Sequence, residues 1–164
     1  MTTKIGIYPG AFDPLTFGHM DIIKRSLNIV DKLIIGIADN INKKSLLSLN
    51  DRRKLILADI KTYIEENVDI SVEIISGLLT DHAKKNNITC IIRGLRAVSD
   101  FEYEFQMTGM NYQLNPNVDT IFLMSSEKYS FISSNFIKEV HKLGGDVSRF
   151  VSKNTINILN TKNI

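Results

Sequence analysis

This sequence predicts an α/β fold, a Rossmann-like five-stranded parallel sheet with helices on both faces. Three observations carry that expectation. Short apolar runs alternate along the chain with segments of helical period. The runs are nearly continuous, as in Leu33-Ile34-Ile35-Gly36-Ile37, which suits parallel strands covered on both faces. Cationic and hydroxyl residues gather just past the expected strand ends, where open parallel sheets bind their ligands: His19, Lys43, Arg93, Arg96 and the stretch from Ser130 to Ser134.

A length of 164 residues suits a single domain, expected over 1–164 with a helical tail at about 146–164. No linker, repeat or low-complexity tract divides it. Hydrophobic content of 43% and charged content of 23% are ordinary for a soluble globular chain. A formal net charge of +2 argues for neither a nucleic-acid nor a membrane partner. The one cysteine, Cys90, lies in an apolar run and reads as a buried thiol in a reducing compartment. Met1-Thr2-Thr3-Lys4 lacks the apolar run of a signal peptide, and no stretch is long enough to span a bilayer. A cytoplasmic location is therefore expected.

The first strand is expected over 4–8. A helix follows over 20–30, with Ile23, Leu27 and Val30 at helical spacing. A second strand covers 32–38, and a polar loop covers 39–47. Ser48 or Asn50 can cap the next helix, which runs through Tyr63 with Leu55, Ala58 and Ile60 or Ile64 inward. Ile70, Val72 and Ile74 alternate in a third strand over 69–75. A short helix over 78–86 leads to a fourth strand over 89–92, ending at Arg93-Gly94. A longer helix covers 100–114 and a fifth strand 119–124. A serine caps a helix over 133–143, and Gly144-Gly145 stops it. A weaker helical signal lies at 154–159.

The segment Tyr8-Pro9-Gly10-Ala11-Phe12-Asp13-Pro14-Leu15-Thr16-Phe17-Gly18-His19 joins the first strand to the first helix. A loop of this kind brings backbone N–H groups and a helix N-terminus to one point, a geometry that suits phosphate. His19 sits where the helix begins and can face the same anion, although a capping or core histidine is the plainer reading. Near a helix N-terminus the ring is expected to be neutral and still able to donate one hydrogen bond. Lys43-Lys44 follows the second strand as a phosphate clamp or a solvated pair. Arg93-Gly94-Leu95-Arg96 carries two guanidiniums suited to polyphosphate. The alternative there is a pair of carboxylate bridges to Asp100, Glu102 or Glu104. Glu102 and Glu104 can equally be ordinary charges in the first turns of a helix. Tyr129-Ser130-Phe131-Ile132-Ser133-Ser134-Asn135 reads as an anion site at a helix N-terminus or as simple N-capping. His82 and His141 read as structural.

Absences narrow the chemistry. The sequence has no Gly-x-x-x-x-Gly-Lys-Ser/Thr loop, no Gly-x-Gly-x-x-Gly after a strand and no nucleophile elbow. It has no Cys/His cluster at metal-ligand spacing, so no protein metal site is expected. Direct group transfer without a covalent enzyme intermediate remains.

Thr16-x-Gly18-His19 resembles the signature of nucleotidyltransferases. With Arg93-Gly94-Leu95-Arg96-Ala97-Val98-Ser99-Asp100-Phe101-Glu102-Tyr103-Glu104 and Phe131-Ile132-Ser133-Ser134, the chain resembles the bacterial phosphopantetheine adenylyltransferase family along nearly its whole length. The resemblance implies transfer of AMP from ATP to 4′-phosphopantetheine with Mg²⁺, held mainly by the ATP phosphates. Carried over by position, it implies His19, Lys43 and Arg93 as catalytic. Ala11, Lys43, Leu79 and Arg93 would bind phosphopantetheine. Ala11, Phe12, His19, Gly94, Leu95, Arg96, Glu104, Tyr129, Ser130, Phe131, Ile132, Ser133, Ser134 and Asn135 would bind ATP. It also implies a homohexamer, a dimer of trimers, with feedback by coenzyme A. Another nucleotidyltransferase, such as one acting on nicotinate mononucleotide, and a non-catalytic nucleotide-binding module are the alternatives. The chain departs from the family pattern at Ala11, where Ser or Thr is usual, at Phe17, commonly Asn, and at Asn135, which ends a serine run.

Overall fold

The computed structural model describes residues 3–39 and 44–162, without the side chains of Val98 and Ser99. Five strands, β1 (Ile5–Gly10), β2 (Lys32–Ala38), β3 (Asp69–Ile75), β4 (Cys90–Leu95) and β5 (Asp119–Met124), form one sheet in the order β3-β2-β1-β4-β5. Every neighbouring pair is parallel. Among the described residues six helices accompany them: α1 (Phe17–Ser26), α2 (Leu49–Tyr63), α3 (Leu79–Lys85), α4 (Val98–Leu114), α5 (Ser134–Lys142) and α6 (Lys153–Thr161).

Strand alternation sends successive residues to opposite faces, so the apolar runs build two cores at once. On one face Tyr8, Leu33, Ile35, Ile37 and Ile92 pack with Ile22 and Ile23 of α1 and Leu55 and Ile56 of α2. On the other, Ile7, Ile34, Ile75 and Ile91 pack with Ala83 of α3. Cys90 is buried and unpaired, and burial pushes its thiol pKa up. A third cluster, Ile132, Ile137, Val147, Val151 and Leu159, holds the C-terminal segment against α5.

Several boundaries differ from the sequence expectation. β1 extends two residues further, through Gly10. α1 starts at Phe17 rather than 20 because Thr16 caps it, and it ends at Ser26 in a tight turn. Ser48, not Asn50, caps α2. Leu55 is buried and Ile60 and Ile64 pack on the core as expected, but Ala58 is exposed, and the fully buried face of α2 is Arg52, Leu55, Ile56 and Asp59. Those four positions follow the i, i+3, i+4, i+7 stripe of a helix, with charged residues at both ends. β4 does not stop before Arg93. Arg93, Gly94 and Leu95 pair in register with Phe122, Leu123 and Met124. α4 begins two residues early, at Val98, and a 3₁₀ turn over Glu127–Tyr129 precedes α5. Gly144, with a φ of 80°, ends α5 in a conformation that other residues rarely adopt.

Candidate active site

Connections leave β1 for β2 on one side, and the chain returns to β4 on the other. This switch point is where open α/β sheets hold ligands. A cleft of about 360 Å³ opens there. Its walls come from the end of β1 (Tyr8 to Ala11), the first turn of α1 with its cap, the end of β4, the first turns of α4 and the N-terminus of α5.

His19 is the third residue of α1, and its ring closes a capping box with Thr16. The His19 N–H donates to Thr16 Oγ1 at 3.4 Å, and the Thr16 N–H donates to His19 Nδ1 at 3.0 Å. A backbone donor makes Nδ1 an acceptor, so the neutral ring carries its proton on Nε2. Phe12 packs edge-on to the ring, with centroids 5.1 Å apart. Burial, aided by the positive charge of Arg96, lowers the imidazole pKa to about 4. His19 is therefore both the capping histidine and a neutral donor lining the cleft. Beside it, burial raises the pKa of the Tyr8 hydroxyl and keeps the phenol protonated.

Arg93 shares the face of Ile91 by alternation and so meets α4. Its Nε donates to Glu104 Oε2 at 2.7 Å, its Nη2 to Oε1, and its Nη1 to the Pro9 carbonyl at 2.8 Å. Burial works against its charge, but the Glu104 carboxylate outweighs burial and raises its pKa. Among the described residues three of the five guanidinium N–H groups are engaged, which leaves two for a ligand. Arg96 donates to Asp100 at 3.3 Å and to the Ile132 carbonyl at 3.3 Å, joining β4 to the approach of α5. The carboxylate bridges are thus real, and both arginines still line the cleft.

Ser133 caps α5, accepting from the Phe136 N–H at 3.1 Å, and the Ser134 hydroxyl donates to the Pro14 carbonyl at 2.8 Å. Among the described residues the N–H groups of Ser134 and Asn135 have no protein partner, and both residues line the cleft. The N-termini of α1 and α5 therefore deliver positive helix ends to one space.

Of the residues singled out by sequence, Ala11, His19, Arg93, Gly94, Arg96, Glu104, Tyr129, Ile132, Ser133, Ser134 and Asn135 line the cleft. Phe12, Leu95, Ser130, Phe131 and Leu79 do not. Phe12 and Leu95 are buried, and the Ser130 hydroxyl donates to the Glu127 carbonyl. Phe131 packs edge-on to Phe150, and Leu79 packs on the core of the second face. Lys43 lies outside the described residues. His82 sits 3.0 Å from the Glu73 carboxylate and does not line the cleft. Ile22 and Ser125 line the cleft without having been singled out, and Tyr8 and Tyr103 line it as members of quoted motifs to which no ligand role was given.

The cytidylyltransferase-like family model matches residues 7–140. A phosphopantetheine adenylyltransferase of Wolbachia pipientis subsp. Culex pipiens is 54% identical over 93% of this chain and 89% of its own length. One from Caldanaerobacter subterraneus is 49% identical over 90% of each chain. The chain belongs to the phosphopantetheine adenylyltransferase family. That places it among the nucleotidyltransferases, and solved structures agree in fold. A Plasmodium falciparum nicotinic acid mononucleotide adenylyltransferase superposes with a TM-score of 0.72 at 16% identity, over 99% of this chain and 97% of that one. A bifunctional Francisella tularensis NMN adenylyltransferase/ADP ribose pyrophosphatase gives 0.71 at 18% identity, covering 98% of this chain and 49% of that longer one.

Within a phosphopantetheine adenylyltransferase, the departures fall in different places. Ala11 is exposed in the cleft, and its carbonyl accepts from Arg52 at 2.9 Å. Phe17 turns elsewhere, its ring edge-on to Tyr63 with centroids 5.8 Å apart. Asn135 still lines the cleft at the start of α5.

Proposed function

We propose that this chain transfers the AMP moiety of ATP to the phosphate of 4′-phosphopantetheine, giving dephospho-coenzyme A and pyrophosphate. An oxygen of the acceptor phosphate forms the new bond to the α-phosphorus. The bond from that phosphorus to the α–β bridging oxygen breaks, and pyrophosphate leaves with the electron pair. The observation that carries this reading is His19, a neutral Nε2–H donor oriented by Thr16 in a cleft between two helix N-termini. A hydrogen bond that strengthens as charge builds on the α-phosphate stabilises the transition state more than bound ATP.

Arg93, with two N–H groups to spare, takes the acceptor phosphate in this reading, with Lys43 and Leu79 assigned to the acceptor by family position. Ala11, Gly94, Arg96, Glu104, Tyr129, Ile132, Ser133, Ser134 and Asn135, which line the cleft, surround ATP. Mg²⁺ enters on the ATP phosphates. The carboxylates that line the cleft, Asp100 and Glu104, are each bound to an arginine, so phosphates and water supply the ligands. The ion neutralises phosphate charge.

A homohexamer, a dimer of trimers, belongs to the same reading. On α4, Tyr103, Phe105, Met110, Tyr112 and Leu114 are each more than half exposed, and β5 beside it is an edge strand. Sedimentation velocity checks the assembly. Coenzyme A shares the pantetheine arm of the acceptor, so feedback would appear as competition with it. A cytosolic location fits the unpaired Cys90; among the described residues no helix is long and apolar enough to cross a membrane.

Pyrophosphate release from ATP, measured with 4′-phosphopantetheine, with nicotinate mononucleotide and with no acceptor, tests the reading. Release with the first is expected. Release only with the second would reassign the acceptor, and ATP binding without turnover would make the chain a regulatory module.

A further inference from the structure

Behind the loop that follows β1 lies a charge with no role in the chemistry above. Arg52, on the inward face of α2, is only 4% exposed. Its Nε donates to the Leu47 carbonyl at 3.1 Å, and its Nη1 to the Ala11 carbonyl at 2.9 Å and the Ala38 carbonyl at 3.5 Å. Among the described residues it has no carboxylate within 4.0 Å. Carbonyls solvate a guanidinium but leave its charge unneutralised, and a buried charge is costly unless something compensates it. An apolar side chain would fill the same space without that cost.

The neighbouring charge is treated differently. Asp13, also buried, accepts from the Leu46 and Leu47 N–H groups at 2.9 and 2.8 Å. Lys138 neutralises it at 3.2 Å. Leu47 is thus held by its N–H on Asp13 and by its carbonyl on Arg52. Of these two buried charges, Arg52 alone lacks a countercharge, and it lies one peptide unit behind Ala11, which lines the cleft.

That peptide unit has a direction. The bond between Ala11 and Phe12 is trans, so its C=O and N–H point opposite ways. With the carbonyl taken by Arg52, the Phe12 N–H turns away from α2. Among the described residues it has no partner. Phe12 itself sits at a φ of 48°, a left-handed conformation that a bulky residue holds only under outside constraint.

We propose that Arg52 is the positioning residue of the phosphate loop. It fixes the Ala11 carbonyl, holds Gly10 and Ala11 at the wall of the cleft where the nucleotide phosphates bind, and places its unneutralised charge behind them. With Ala11 supplying no hydroxyl, this loop contacts phosphate through its backbone, so its orientation matters more. The proposal rests on the nucleotidyl-transfer reading and adds a residue outside the cleft to it.

The test uses the full chain as wild type, Arg52→Lys and Arg52→Gln. Calorimetry gives the ATP affinity, thermal melts give the folded range, and kcat and KM are taken within it. Arg52→Gln is expected to weaken ATP roughly ten- to a hundredfold, the range for a lost charge-assisted contact. Arg52→Lys, which keeps the charge, should recover much of that loss. Wild-type ATP affinity and KM in both folded variants, or equal losses in both, would overturn the proposal. Should Arg52→Gln fail to fold, Arg52→Lys decides: one ammonium cannot reproduce the fork that holds the Leu47 and Ala11 carbonyls, so ATP is expected to bind a few-fold more weakly, and wild-type affinity overturns the proposal. All of these readouts use ATP alone or whichever acceptor wild type turns over, so a wrong acceptor leaves the test intact.

Discussion

One wall of the cleft, from Pro9 to His19, offers neutral donors, whereas the wall from Arg93 to Glu104 offers full charges that are already paired. The neutral wall is set by backbone bonds: Thr16 fixes the tautomer of His19, and Arg52 fixes the Ala11 carbonyl. The charged wall is set by carboxylates, Glu104 on Arg93 and Asp100 on Arg96. The difference concerns what each wall can do for a reaction. A locked neutral donor needs no reorganisation when charge develops and gains most in the transition state. A paired guanidinium attracts a phosphate before and after transfer alike, which favours binding over rate.

The largest expected effect lies on the neutral wall. His19→Ala should lower kcat by about 10²–10³, the usual loss of one preorganised donor, while ATP affinity changes by no more than a few-fold. The substitution also removes the capping box of α1, so kinetics belong at a temperature where melts show the variant folded. Equal losses in kcat and in ATP affinity would erase the distinction between the walls.

Acid should reveal the same ring. Burial and Arg96 hold His19 near pKa 4, against about 6.5 in an unfolded chain. Between those values the unfolded chain binds a proton that the folded chain does not, so stability rises with pH across this window. The contribution is complete above about pH 6.5 and is lost as pH falls towards 4. It amounts to at most about 3 kcal/mol. Denaturant titrations at pH 4.5 and 7 should show a smaller difference for His19→Gln than for wild type. With only three histidines in the chain, proton NMR can follow His19 directly. A midpoint near 6.5 would show a solvated ring and dissolve the contrast.

On the charged wall the effect should be smaller and of another kind. Arg93→Lys keeps the charge but cannot span both Glu104 oxygens and the Pro9 carbonyl. KM for 4′-phosphopantetheine is expected to rise about tenfold, with kcat changing less. A fall in kcat at constant KM would move Arg93 into the class of His19.

What the sequence made legible follows the same divide. β2, β3 and β5 have the bounds that their apolar runs predict, because burial on both faces leaves a local signature. The loop from Tyr8 to His19 and the start of α5 were legible because caps and turns are local chemistry. Charges inside the fold were legible only in part. β4 reads as ending at Ile92 because Arg93 is charged, yet Glu104 on α4 lets the strand continue. α2 reads with Ala58 inward because Arg52 and Asp59 are charged, yet carbonyls satisfy one and Asn154 the other. The Arg93–Glu104 bridge was an alternative open in the sequence, whereas the partners of Arg52 and Asp59 come near only in the fold, so composition and period miss them.

Ala11 allows the finest test of the neutral wall. Its side chain is exposed in the cleft while its carbonyl is held from behind by Arg52. Ala11→Ser therefore adds a hydroxyl on the ligand side without disturbing that hold, and melts should match wild type. One added neutral hydrogen bond is worth about 0.5–1.5 kcal/mol, so ATP or acceptor should bind about two- to tenfold more tightly. Tighter binding at constant kcat would mean that a neutral donor on this wall can serve the ground state, leaving His19 as the group tuned to the transition state. A higher kcat at constant affinity would place position 11 beside His19 in function. Unchanged or weaker binding would mean that the loop, held by Arg52, already meets the phosphates fully through its backbone.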